Sequence, residues 1–277
     1  QRRRKRAGEG SRSHARRRSS AKYTTDTRHH QRLVTLEPLG GGREVGRSCL
    51  LATVASKKVL LDAGVHTAYQ DQRAFPRLER LGPAPLPADA LAAVVITHSH
   101  LDHLGALPRL TETLGYRGPV YMTAPTRAIG RTLLADYRWV MTDRKGVDAA
   151  HFYSEDDVDA CLRRVTVVGL GETVRVAGGD LELTTYYAGH VLGAVMVRVA
   201  AGGASLVYSG DFNASPNEVL GRASIPCLRP DLLVCEATYA NSERAGDRSA
   251  ERRFLQLVRE ATARGAKVLI PVMAFGA

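Results

Sequence analysis

The run Thr97-His98-Ser99-His100-Leu101-Asp102-His103 packs three histidines and an aspartate into positions 98–103. At this chain's own residue frequencies, an HxHxDH pattern arises by chance in about 5 of 10,000 chains, so the run is informative. It follows residues 91–97, an apolar, partly β-branched stretch of strand length set off by Pro83, Pro85 and Pro87. A strand ending at Thr97 releases the chain into a loop where His98 and His100, two residues apart, face one side. Asp102 and His103 then stand at the mouth of a helix expected over residues 104–114, aimed at a neighbouring point. Imidazole together with carboxylate suits zinc, and two subsets of donors suit two ions.

Further donors should lie on loops at the same sheet edge. His190 follows a strand expected over 181–187, Asp211 one over 205–208, and Asp62 one over 58–62. Each alone reads as a turn residue beside glycine. Together with HxHxDH they form a constellation. Around them, further strands are expected at 48–54, 120–123, 164–168, 194–199, 231–236 and 267–273, the last buried. Helices are expected at 125–141, 155–164 and 250–264, the last packed through Phe254, Leu257 and Val258. Strands alternating with both turns and helices indicate a layered α/β arrangement with mixed sheets.

The net charge of +11 is unevenly placed. Residues 1–32 hold 12 Lys/Arg against 2 Asp/Glu (+10), which leaves 27 against 26 (+1) for the remainder. The first 32 residues are nearly devoid of apolar side chains, and disorder is expected there. Their two basic clusters, Arg2 to Arg6 and Arg16 to Arg18, resemble a two-part nuclear import signal; they would also attract RNA phosphates without sequence preference, or serve only as a solvated tail. No apolar run approaches the roughly 20 residues of a membrane helix, so no membrane association is expected. Cys49, Cys161, Cys227 and Cys235 form no CxxC pair, which suggests neither a disulfide framework nor a cysteine zinc site; all four are expected to be packing residues in a reducing compartment. Gly40-Gly41-Gly42 is not followed by Gly-Lys-Ser/Thr and reads as a turn. His29, His30, His66 and His151 read as surface or loop residues.

HxHxDH with a preceding strand-end aspartate, a later Gly-His and a later Gly-Asp resembles the metallo-β-lactamase fold, an αββα sandwich of mixed sheets. Three further stretches resemble its β-CASP branch of nucleic-acid-cutting enzymes: Gly42-Arg43-Glu44-Val45-Gly46-Arg47-Ser48-Cys49, Ala188-Gly189-His190-Val191-Leu192-Gly193-Ala194 and Cys235-Glu236-Ala237-Thr238-Tyr239. Within that branch, residues 71–78, 143–146 and 159–165 are more similar to the Integrator-type endonucleases than to the cleavage and polyadenylation specificity factor type.

The resemblance implies that His98, His100 and His190 hold one zinc, that Asp102 and His103 hold a second, and that Asp211 bridges the two. Asp62 would orient ligands from behind. Asp102, Asp211 and Glu236 are the implied catalytic acids, Glu236 through positioning a histidine that protonates the leaving group. The implied reaction is hydrolysis of an RNA phosphodiester by a hydroxide between two ions roughly 3.5 to 4 Å apart. It also implies RNA, a sister β-CASP subunit and other processing-complex subunits as partners, and a nuclear location with the cytoplasm as a second possibility. Domain bounds are expected at 1–32 for the tail, 33–240 for the metallo-β-lactamase domain and 241–277 for the start of a β-CASP insertion. On that reading the chain is a fragment that lacks a ligand of the second zinc and has little nuclease activity by itself. Two rival readings are a metallo-β-lactamase-fold hydrolase of another substrate and a non-catalytic scaffold subunit.

Overall fold

The computed structural model describes residues 34–148, 152–216, 219–242, 247–272 and 275. The basic tail, His29, His30, His151 and Met273 lie outside the described residues.

Alternation decides the layers. In β2 (Cys49–Val54), β3 (Lys57–Leu61), β4 (Ala93–Val95) and β5 (Val120–Met122), successive side chains enter opposite cores. Cys49, Leu51, Leu60, Val94, Val120 and Met122 face a helical layer, whereas Leu50, Ala52, Val59, Leu61, Ala93, Val95 and Tyr121 face a second sheet. The first sheet has the order β1-β2-β3-β4-β5-β6, with β1 at Val34–Gly40 and β6 at Val165–Val167. It is antiparallel from β1 to β3 and parallel from β3 to β6, hence mixed.

The second sheet runs β11-β10-β9-β8-β7, built from β7 (Thr173–Val176), β8 (Leu181–Tyr187), β9 (Val195–Ala201), β10 (Ala204–Tyr208) and β11 (Leu232–Val234). Its pairs are antiparallel except β10 with β11. The expected α/β class with mixed sheets is the observed one. No helix among the described residues is long and apolar enough to cross a membrane.

The helical layer consists of α1 (Leu101–Leu104), α2 (Ala124–Trp139) and α3 (Glu155–Arg163). Thr123 caps α2 by accepting from the Thr126 backbone, and Ser154 with Asp157 forms a reciprocal cap on α3. The helix expected at 104–114 begins earlier, at Leu101. Beyond Pro108 it widens, and the Leu114 amide reaches five residues back to the Arg109 carbonyl at 2.9 Å.

Several expectations are corrected. Strands β1 and β7 were not anticipated; both are sheet edges with largely exposed, mixed sequences, and Pro38 is tolerated in β1 because that strand pairs on one side only. The expected buried strand over 267–273 is absent: among the described residues, 267–272 pairs with no strand, and Leu269 is 92% exposed. A β-branched apolar run becomes a strand only where a neighbour completes its hydrogen bonds. The final helix, α4 (Asp247–Ala263), forms as expected, but Phe254 and Leu257 are exposed rather than packed. Cys49 and Cys161 are buried as expected, while Cys227 and Cys235 are exposed.

Parallel strands end at one edge, and that edge gathers the loops that matter. Asp62 follows β3, the histidine run follows β4, His190 follows β8 and Asp211 follows β10. Contacts that join the sheets there include the Val195 amide donating to Thr97 O at 3.0 Å and Thr123 Oγ1 donating to Gly193 O at 2.7 Å. Gly64 lies between the Asp62 loop and α1, donating to Ser48 O at 2.9 Å. A Cβ at Gly64 would stand 1.6 Å from the Asp102 carbonyl oxygen and 2.6 Å from the His103 amide nitrogen, both backbone atoms. Gly64→Ala should therefore destabilise the chain by more than about 3 kcal/mol, because no side-chain rotation relieves the clash. A urea midpoint within error of the parent's would contradict that expectation.

Candidate metal centre

The left-handed turn at Asp62 (φ 61°) aims its carboxylate beneath the histidine loop. Oδ1 accepts from the Thr97 amide at 2.7 Å. Oδ2 accepts from Thr97 Oγ1 at 3.0 Å, His103 Nδ1 at 2.7 Å and Tyr208 OH at 2.9 Å. These bonds fix the placement of protons. A carboxylate can only accept, so His103 carries a proton on Nδ1 and turns Nε2 toward the site. Thr97 Oγ1 gives its proton to Asp62 and therefore accepts from His98 Nδ1 at 3.0 Å, which leaves His98 Nε2 a bare lone pair.

Lone pairs then converge. His98 Nε2 lies 3.1 Å from His100 Nδ1, and His190 Nε2 lies 3.2 Å from that same atom. Nitrogens around a tetrahedral zinc at 2.0–2.1 Å stand about 3.3 Å apart, so this spacing is close to the edge of such a site. His98, His103 and Asp211 form a second group, the donor atoms of each group lying within 4.8 Å of one another. Asp211 reaches both groups, with Oδ1 3.3 Å from His103 Nε2 and Oδ2 3.7 Å from His190 Nε2. Asp102 Oδ2 stands 3.6 Å from His103 Nε2. His100 Nδ1 can share at most one proton with the His98 and His190 nitrogens that face it, so the cluster is not satisfied by hydrogen bonds alone. The donor set therefore fits divalent metal ions.

A family model described as "Metallo-beta-lactamase superfamily domain" matches residues 50–230, well over half of the chain. The chain belongs to the metallo-β-lactamase superfamily. Among curated members, "Integrator complex subunit 11" of Gallus gallus is 47% identical over 243 residues, covering 88% of this chain and 40% of the relative. "Cleavage and polyadenylation specificity factor subunit 3-II" of Arabidopsis thaliana is 42% identical over 238 residues, covering 86% of this chain and 38% of the relative. "Endoribonuclease YSH1" of Mycosarcoma maydis is 37% identical over 246 residues, covering 88% and 27% respectively. The order, Integrator type before cleavage-factor type, is the one the short motifs indicate. The chain spans two fifths or less of the length of these relatives.

In this superfamily member, every donor singled out in the sequence comes to the same edge except Glu236, which stands behind it. Glu236 Oε1 accepts from the Phe212 amide at 3.0 Å, and its own amide donates to Ser209 Oγ at 3.1 Å, so it holds the backbone on both sides of Asp211. His66 stays outside both donor groups, its ring stacked obliquely on Tyr69. Sequence reasoning missed Thr97, Tyr208 and Ser48, whose Oγ lies 3.5 Å from His103 Nε2. A signal for Tyr208 existed: it shares strand parity with Leu206 and so points between the sheets.

The titration behaviour of the site follows from burial and charge. Burial, then the charges of His103, His100 and His190, keeps His98 well below the usual imidazole range; burial likewise lowers His100 and His190. Burial also works against a charge on His103, but Asp62, Asp211 and Asp102 together outweigh it and hold that ring well above its ordinary value. At Asp211 burial raises the carboxyl, and His103, His190 and His100 more than reverse it.

Below about pH 6.5 the unfolded chain protonates three imidazoles that the fold keeps neutral, so their contribution to stability is lost on acidification. His103 acts oppositely, stabilising below about pH 6.5 and losing that contribution as pH rises through its folded value. In the metal-free chain, NMR of the histidine rings should show His103 titrating above about pH 6.5 and the other three below it. Four rings titrating together would contradict this assignment.

Proposed function

We propose that this chain carries the metal centre of a zinc-dependent RNA endonuclease, an enzyme that hydrolyses phosphodiester bonds in nuclear RNA 3′-end processing and transcript cleavage, of the Integrator type. The observation that carries the reading is the convergence of His98, His100 and His190 nitrogens at 3.1–3.2 Å beside the Asp211 carboxylate. The names of the relatives supply the substrate class: one is called an endoribonuclease, and others are named as subunits of Integrator or of the cleavage and polyadenylation specificity factor.

In this reading His98, His100 and His190 hold one ion, and Asp102 with His103 supplies ligands to a second. Asp211 would contribute to both, since its two oxygens face different histidines. When bound, two such ions supply Lewis-acid polarisation of the phosphodiester and lower the pKa of water towards about 7. Asp62 orients His103 directly and His98 through Thr97, which keeps both lone pairs aimed inward. Glu236 fixes the loop that presents Asp211. RNA, a sister β-CASP subunit and further processing subunits are the partners this reading entails, and the nucleus is its location.

The test is zinc per chain by elemental analysis, with chelator competition for affinity. The parent chain should retain at least one zinc, and a His98→Ala, His100→Ala double variant should lose it. Asp62→Asn should weaken binding by about 10- to 100-fold while the fold persists. A folded parent chain that takes up no zinc would overturn the reading and favour a scaffold role.

A further inference from the structure

Beside the metal centre lies a groove of about 400 Å³ lined by Arg47, Arg73, Arg77, Arg109 and Glu79, with Glu44 paired to Arg47 and Asp71 paired to Arg73. That volume falls within the roughly 300–1,000 Å³ of ligand clefts. One chain step links the groove to the site: Arg47 precedes Ser48, whose Oγ faces His103 Nε2 at 3.5 Å and whose amide donates to Asp102 O at 2.7 Å. We propose that this groove holds the sugar-phosphate backbone of single-stranded RNA as it leads to or from the metal centre. The inference rests on the nuclease reading above and extends it to a substrate path.

Two features favour nucleic acid. First, the guanidinium groups are held in place before any ligand arrives. The Arg73 guanidinium lies 4.7 Å over the Tyr69 ring and pairs with Asp71; that of Arg109 lies 4.5 Å over Phe75 and donates to Gln72 Oε1 at 2.8 Å. Arg47 reaches Glu44 and donates to Arg73 O at 3.0 Å, and Arg77 donates to Pro38 O at 2.9 Å. Ordering costs on binding are therefore small.

Second, a guanidinium has five N–H donors in a planar fork that matches phosphate oxygens. Arg73 and Arg77 are both exposed; Arg73 gives one edge of its fork to Asp71, and Arg77 gives one Nη to the Pro38 carbonyl. Planar guanidinium groups stacked on aromatic rings also offer flat surfaces to unpaired bases.

The test uses the whole chain with chelator present, so that cleavage plays no part. The probe is a fluorescent single-stranded RNA of about 20 nucleotides carrying 4-thiouridine. Irradiation followed by mass spectrometry should place cross-links in residues 69–80 as well as in the basic tail. An Arg73→Gln, Arg77→Gln double variant should bind about 5- to 20-fold more weakly and reduce the slope of log affinity against log salt by about 1.4, the value for two lost phosphate contacts. Arg175→Gln, on the edge strand β7 and paired with Glu182, should change neither quantity. Wild-type affinity and slope in the double variant, or cross-links confined to residues 1–32, would overturn the groove while leaving the nuclease reading intact. Absence of RNA binding by the parent chain would overturn both. Cross-linking at 69–80 by a chain that takes up no zinc when chelator is left out would remove the nuclease reading and leave an RNA-binding groove.

Discussion

The two oxygen atoms of Asp62 organise this molecule's functional edge. They accept from the Thr97 backbone, the Thr97 hydroxyl, the His103 ring and the Tyr208 hydroxyl, groups that belong to the loop after β4, the helix that follows it and β10. A buried carboxylate so heavily bonded has no slack. Its left-handed backbone is a strained conformation for a residue with a side chain, and the surrounding bonds hold it there. Through it, the direction of two imidazole lone pairs becomes a property of the first sheet's geometry rather than of loop conformation. The donor side chains therefore inherit the rigidity of strands.

Much of the site was readable because its chemistry is local in sequence. His98, His100, Asp102 and His103 occur together, and parity alone assigns the first two to one face. The remaining donors, His190, Asp211 and Asp62, announce themselves by following strand-like runs. Thr97 was not legible as a site residue, and for Tyr208 strand parity gave only its direction between the sheets, since nothing in either residue type distinguishes packing from support of a carboxylate across the fold. Glu236 was legible as a residue of consequence, yet its contact with the Phe212 amide could come only from the pairing of β11 beside β10.

The fold shows the same division. Strongly alternating or continuous apolar runs became central strands, and the failures lie at the margins. β1 and β7 escaped notice because edge strands need bury little. Residues 267–272 misled in the opposite direction, since strand propensity describes suitability for a pleated surface and the surface itself must be supplied by a neighbour. The helix at 101–104 starts directly from the histidine loop, with His100 at its N-cap position.

The joining of the sheets at Thr97 and Val195 has a thermodynamic corollary. His98, His100 and His103 hang from the first sheet, and His190 and Asp211 from the second, so any ion that engages both groups closes a clasp across the sandwich. Such an ion binds the assembled layers and not the separated ones, and mass action then converts its affinity into cohesion between them. The edge that concentrates chemistry is thereby also a seam, and the strength of that seam is set by the free concentration of a solute.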